Sequence, residues 1–171
     1  MDLKYQQHIP EDFSENSKVW VYQSNRLFSM SEAFQIEDML TDFLNNWKSH
    51  GSDIKGYANL FFGQFIVIMA DDSAARLCGT SADNSIRLIK EIETALKVDL
   101  LNRQSLGFLV NDKVEILPLT QISYALEKGF LEPETIYFNN LVGTKKQLLT
   151  EWLQPISKSW LKTKLPNIVK D

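Results

Sequence analysis

Residues 54–70 read IKGYANLFFGQFIVIMA, and two runs rich in aromatic and β-branched residues flank Gly63 within them. That pattern predicts two strands joined by a tight turn. The second run, residues 65–70, is apolar at successive rather than alternate positions, so both of its faces need cover and it belongs in the middle of a sheet. Upstream, VWVYQ at 19–23 has the same character and stops at the polar group Gln23, Ser24, Asn25 and Arg26, which predicts a first strand. Between them, Ser29 followed by Glu32 has the spacing of a capping box. Ala33, Ile36, Leu40, Phe43, Leu44 and Trp47 then recur on one helical face, with Gly51 as the expected stop. Downstream, Ile86, Ile89, Ile92 and Leu96 predict a second amphipathic helix, capped by Ser81 or Asp83.

SLGFLV (105–110) and VEIL (114–117) flank Asn111-Asp112-Lys113 and read as a hairpin. After Pro118, the residues Leu119, Ile122 and Leu126 predict a short helix stopped by Gly129, and TIYFNN (135–140) predicts a short strand. From Thr144 the spacing of Leu149, Trp152, Leu153, Ile156 and Trp160 predicts a long helix kinked at Pro155, with the tryptophans in the core. The opening order of strand, helix, strand, strand, helix, strand is that of a split βαβ, or ferredoxin-like, unit. The expected fold is therefore α+β: a mixed sheet with a ferredoxin-like βαββαβ core, an extra hairpin strand and C-terminal helices. Residues 1–17 are polar, contain Pro10 and read as a flexible arm; residues 18–171 read as a single domain. In this arrangement the first and third strands lie adjacent and parallel, both helices cover one face, and the carboxyl ends of the two strands share an edge.

Composition narrows the function classes. With 22 acidic and 18 basic residues the chain carries a net charge of −4, which disfavours a nucleic-acid binder. The single cysteine, Cys78, excludes an intramolecular disulfide. No apolar stretch at the start of the chain suits a signal peptide, and no run approaches the roughly 20 apolar residues of a membrane span. The expectation is a cytoplasmic protein bound to neither membrane nor nucleic acid. Cofactor and oligomeric state are left open.

The shared strand edge would gather Gln23, Ser24, Asn25 and Arg26 with Asp71, Ser73, Thr80, Ser81 and Asp83. Junctions between strands and helices expose polar side chains together with helix N-terminal amides, a setting that suits small polar ligands. Arg26 would take an anionic group through paired hydrogen bonds. Ser, Asn, Asp and Thr are equally what caps and turns require. FIVIMADD has the form of a strand that carries magnesium ligands in nucleotide hydrolases, but no GxxxxGK[ST] loop accompanies it. Asp71, Asp72 and Asp83, completed by Ser and Asn oxygens, could form a hard-cation site. Cys78 has no evident base, since His8 lies in the expected arm and His50 after the first helix; an inert thiol is the better reading. The leading expectation is a non-catalytic module binding a small polar molecule or a protein partner, with no catalytic residue and no resident metal assigned. The rival is a divalent-metal-assisted hydrolase or transferase acting on a phosphorylated small molecule, and a third reading is a structural oligomer formed through the C-terminal helix.

VWVYQSNR, FIVIMADDS, GTSADNSIRLIKEIE and FNNLVGTKKQLLTEWLQPISKSW, in this order and spacing from Lys18 to Trp160, resemble a small uncharacterised bacterial family. Some of its members carry the label "ABC transporter ATPase", which the missing phosphate loop does not support. The family has Gly-Cys-Ser where this chain resembles it with Gly79-Thr80-Ser81, so the resemblance implies that the relatives' cysteine falls at Thr80, which further weakens a thiol mechanism here. It implies no established activity.

Overall fold

The computed structural model describes residues 1–49, 51–71 and 79–165, with the side chains of 49 and 79–82 outside the description. The chain, expected as one domain from residue 18, divides into two compact units, Asp2–Leu101 with Asn140–Leu149, and Asn102–Asn139 with Thr150–Asp171. Both combine helices with antiparallel sheet, which gives the α+β class.

In the first unit, β1 (Lys18–Gln23), β4 (Lys55–Phe61) and β5 (Phe65–Asp71) form a sheet in the order β1-β5-β4. The β4–β5 turn holds Phe62 and Gly63 at φ of 53° and 61°, left-handed values that glycine takes without strain. β5 is central, as its unbroken apolar run predicts, and all seven of its residues are buried. β1 pairs antiparallel with β5, from Lys18 opposite Ala70 to Gln23 opposite Phe65. This corrects the expected parallel pairing. Since β4 is also antiparallel to β5, β1 and β4 run the same way with β5 inserted between them, so the strand that runs parallel to the first is the second, which does not pair with it, and not the third.

α1 (Met30–Asn46) and α2 (Gly79–Leu96) share one core with Tyr22, Ile66, Ile68 and Ala70, so both helices cover the same sheet face, as expected. The capping box is present: the Ser29 hydroxyl accepts from the Glu32 N–H while the Glu32 carboxylate accepts from the Ser29 N–H. α1 ends before Trp47 rather than at Gly51, which turns the small hairpin of β2 (Lys48–Ser49) and β3 (Ser52–Asp53) at φ 81°. Trp47 leaves the helix because its ring is wanted on the sheet, against Phe43 and Trp20 at centroid distances of 4.8 and 6.4 Å. α2 is described from Gly79, so the positions of Ser81 and Asp83 lie within it.

Gly56 is where Trp47 meets the sheet, and a methyl group there would sit 2.8 Å from its Cε3 and 3.0 Å from Leu44 Cδ2. Gly56→Ala should therefore cost roughly 1–3 kcal/mol, a loss readable by urea unfolding, although alanine suits a strand better than glycine does.

The segment expected as a flexible arm covers the opposite sheet face. Tyr5, Ile9 and Phe13, four residues apart, are buried. Tyr5 stacks edge-on against Phe61 and Phe62, and Phe13 against Tyr57. Burial raises the Tyr5 hydroxyl to about 12, and that hydroxyl donates to the Leu148 carbonyl at 2.6 Å. The physical reason is the one that centres β5: a strand apolar on both sides needs a second cover, and this segment supplies it.

In the second unit, β6 (Ser105–Val110) and β7 (Lys113–Pro118) form the expected hairpin. Its loop is two residues, Asn111 and Asp112, both at positive φ, the turn that matches strand twist. β6 pairs onward with β8 (Ile136–Phe138), and β8 with β9 (Leu153–Pro155), so β6 lies in this four-stranded sheet and not beside β1. α3 (Ile122–Glu127) packs Ile122 and Leu126 with Phe108, Tyr137, Ile156 and Leu161.

The long C-terminal helix is absent. α4 (Lys145–Glu151) is short, and Leu153–Pro155 becomes β9 before two short 3₁₀ turns, Ile156–Lys158 and Trp160–Lys164. Pro155 fits because β9 is an edge strand, where a missing N–H is tolerated. Trp152 is fully buried against Phe138, whereas Trp160 is exposed on one side and donates its indole N–H to the Tyr137 hydroxyl. Among the described residues no helix is long and apolar enough to cross a membrane.

Candidate functional site

The antiparallel register decides where the candidate residues lie. Gln23 ends β1 opposite Phe65, the first residue of β5, while Asp71 ends β5 one step beyond the start of β1. The six steps of β5 from Phe65 to Asp71 set these positions roughly 20 Å apart along the strand, at ~3.3 Å per residue. The Gln23–Arg26 group and Asp71 therefore occupy opposite ends of the sheet, and the single cleft expected from the sequence does not form. Ser73 lies outside the described residues, as do Asp72, Cys78 and His50; Thr80 and Ser81 are placed in the first turn of α2 by their backbone alone, and Asp83 is exposed on that helix.

Each end is locally consumed. The Gln23 carbonyl oxygen of the side chain accepts from Asn140 Nδ2 at 3.0 Å. Ser24 is buried, its N–H donates to the Gln64 carbonyl and its own carbonyl accepts from Gln64 Nε2. Asn25 and Asp99 exchange two hydrogen bonds, one through the Asn25 side chain. The Arg26 guanidinium grips both Glu32 carboxylate oxygens, at 2.7 and 2.9 Å, and also donates to Leu96 O at the end of α2. Arg26 therefore ties the start of α1 to the end of α2 instead of presenting a fork to an anion. At the far end, the buried Asp71 carboxylate accepts from the Ser14 N–H at 3.0 Å and helps seat the N-terminal segment.

The same contacts fix the acid response. The Arg26 guanidinium, with the Ser29 N–H, holds the Glu32 carboxyl at about 2, well below its ordinary value of 4.5. A lowered carboxyl stabilises the fold fully above its unfolded value and ceases to do so as pH falls through the folded one. Arg26→Ala should lower the melting temperature, with the gap to the parent chain steady above about pH 5 and narrowing toward pH 2. The contact to Leu96 O does not titrate, so a smaller gap remains at acid pH. A melting series across that range checks both parts, and Arg26→Lys should not restore the loss because an ammonium has no fork.

A different opening lies on the helix layer. Between α1 and α2 a groove of about 270 Å³ is lined by Met39, Asp42, Phe43, Asn84, Arg87, Leu88 and Glu91. Met39, Phe43 and Leu88 are at its base, where they also pack on the helix-side core. Asp42, Arg87 and Glu91 are exposed and make no ion pair among the described residues; Arg87 donates to Asn84 Oδ1 at 3.2 Å on its own helix. Reading the helices for apolar spacing assigns Phe43 to the core and overlooks its groove-side surface. The signal that marks this layer is charge: α1 holds Glu32, Glu37, Asp38 and Asp42 and neither Lys nor Arg.

No family model, curated protein or solved structure matches this chain.

Proposed function

We propose that this chain is a non-catalytic interaction module of the cytoplasm that binds a protein partner through the groove between α1 and α2. One observation carries this reading: Met39, Phe43 and Leu88 open to the same groove as Asp42, Arg87 and Glu91, whose charges have no ion pair among the described residues. Apolar surface supplies binding energy and unpaired charge at its rim supplies selection, the division of labour found in protein interfaces. The strand ends offer nothing comparable, because Gln23 to Arg26 and Asp71 already serve the fold. The ferredoxin-like relation remains part of the proposal at the level of β1, α1, β4 and β5. The resemblance to the uncharacterised bacterial family adds no activity to it.

Random linear peptides selected on the folded chain test the proposal. Selected binders should lose affinity on the exposed double variant Arg87→Glu/Glu91→Lys and keep it on Lys128→Glu, which lies in the second unit. Binders indifferent to the groove variant would oppose the reading. So would magnesium- or manganese-dependent turnover of phosphoesters or nucleotides that Asp71→Asn abolishes.

A further inference from the structure

Beyond Glu32 of the capping box, the acidic residues of α1 are placed where helix stability does not ask for them. Glu37 and Asp38 lie at the middle of the helix and Asp42 beyond it, outside the first turn where the dipole would favour a carboxylate, and the last turn has no basic residue to offset them. Asp38 and Asp42 are also four residues apart, where like charges repel. Glu32 is the one carboxylate of α1 held in an ion pair, with Arg26, among the described residues. Across the groove, α2 carries Asp83, Glu91 and Glu93 against Arg87 and Lys90. The two helices together thus hold more net negative charge than the −4 of the whole chain.

Apolar surface continues the same ridge. Met30, Phe34, Asp38 and Asp42 recur at every fourth position and so line one edge of α1. Met30 and Phe34 are 71% and 59% exposed, unusual values for side chains of their size, and Asp38 and Asp42 are exposed as well. An apolar stretch followed by an acidic one, beside a groove with an apolar base, is complementary in shape and sign to one kind of occupant. We propose that the α1–α2 groove takes a basic amphipathic helix of a partner protein, its aliphatic side chains on Met39 and Phe43 and its lysines or arginines toward Asp38, Asp42 and Glu91. This rests on the groove being the binding surface, as proposed above. An anionic membrane or a nucleic acid would be repelled by the same carboxylates. Methionines at 30 and 39 suit a helix-binding surface, because an unbranched thioether adapts to varied aliphatic partners.

Three synthetic helical peptides of equal length test the assignment by titration against the full chain: leucine with lysine on opposite faces, leucine with glutamate, and lysine with glutamine but no leucine. The leucine–lysine peptide should bind about ten-fold or more tightly than either of the others, and should weaken as salt rises. On Asp38→Lys/Asp42→Lys it should lose about ten-fold in affinity while the leucine–glutamate peptide gains. Both positions are exposed, so an unchanged melting curve confirms that the variant is folded. Equal binding of the leucine-free peptide, or indifference to the charge reversal, overturns the proposal. If selected peptides depend on Arg87 and Glu91 yet are acidic or uncharged, the partner class is wrong while the groove reading stands. If nothing depends on the groove, both fall.

Discussion

Deletion of residues 1–17 is expected to leave the first unit without cooperative folding. Tyr5, Ile9 and Phe13 are all less than a tenth exposed, and burial of each is worth roughly 1.5–3 kcal/mol. Together they amount to about 5–9 kcal/mol, which is comparable with the ~5–15 kcal/mol that holds an entire domain. The deletion also uncovers the sheet face of Phe65, Val67 and Met69, so the remaining chain should bind hydrophobic dyes and aggregate. Urea unfolding followed by near-ultraviolet circular dichroism compares the two chains. A truncated chain with a sharp transition and a stability within about 1 kcal/mol of the full chain contradicts the role assigned to this segment.

The second large effect is expected at Lys145. Its ammonium is buried and donates to the carbonyls of Glu11 and Phe13 at 3.1 and 2.8 Å. The backbone amides of Lys145 and Lys146 donate to Ser17 and Glu15. The first turn of α4 therefore holds alternate carbonyls of the N-terminal segment, using helix N–H groups that have no partner within the helix. Lys145→Met keeps an unbranched side chain one atom shorter but strands two acceptors, at a cost of about 2–4 kcal/mol. Ser17→Ala is the control. The Ser17 hydroxyl is buried with no hydrogen-bond partner among the described residues, so its removal should be neutral or stabilising by up to ~1 kcal/mol. Equal losses in the two variants, measured by denaturant midpoints, would remove the case for a specific clasp.

Local chemistry was legible in the sequence wherever it was self-contained. The capping box at Ser29 and Glu32, the central placement of β5 and the hairpin at Asn111 each depend on residues a few positions apart. Periodicity carries no sign along the chain, but the connections do: the tight turn at Gly63 makes β4 and β5 antiparallel and the helical crossover makes β1 and β4 run the same way, a consequence the expected parallel pairing missed. Taking the first and third strands as parallel brought Arg26 and Asp71 together, whereas the antiparallel register separates them. The N-terminal segment was misread for a related reason. Its polar residues outnumber Tyr5, Ile9 and Phe13, and the need for those three arises from the far face of a strand more than fifty residues away. The C-terminal run shows the limit of helical spacing: Trp152 and Ile156 are buried, but from the bend before β9 and the 3₁₀ turn after it rather than from one helix. Arg26 was read as a ligand contact because a free guanidinium and one consumed by Glu32 and Leu96 look the same in one dimension.

The most direct measurement of where this protein binds is an amide and methyl chemical-shift map of the isotope-labelled chain titrated with the leucine–lysine peptide. Perturbations should concentrate on Met39, Asp42 and Phe43 of α1 and on Arg87, Leu88 and Glu91 of α2, with Phe34 shifted at the end of the ridge. Shifts centred instead on Gln23 to Arg26, or on Asp71, would contradict the helix-layer assignment and return the binding surface to the ends of the sheet.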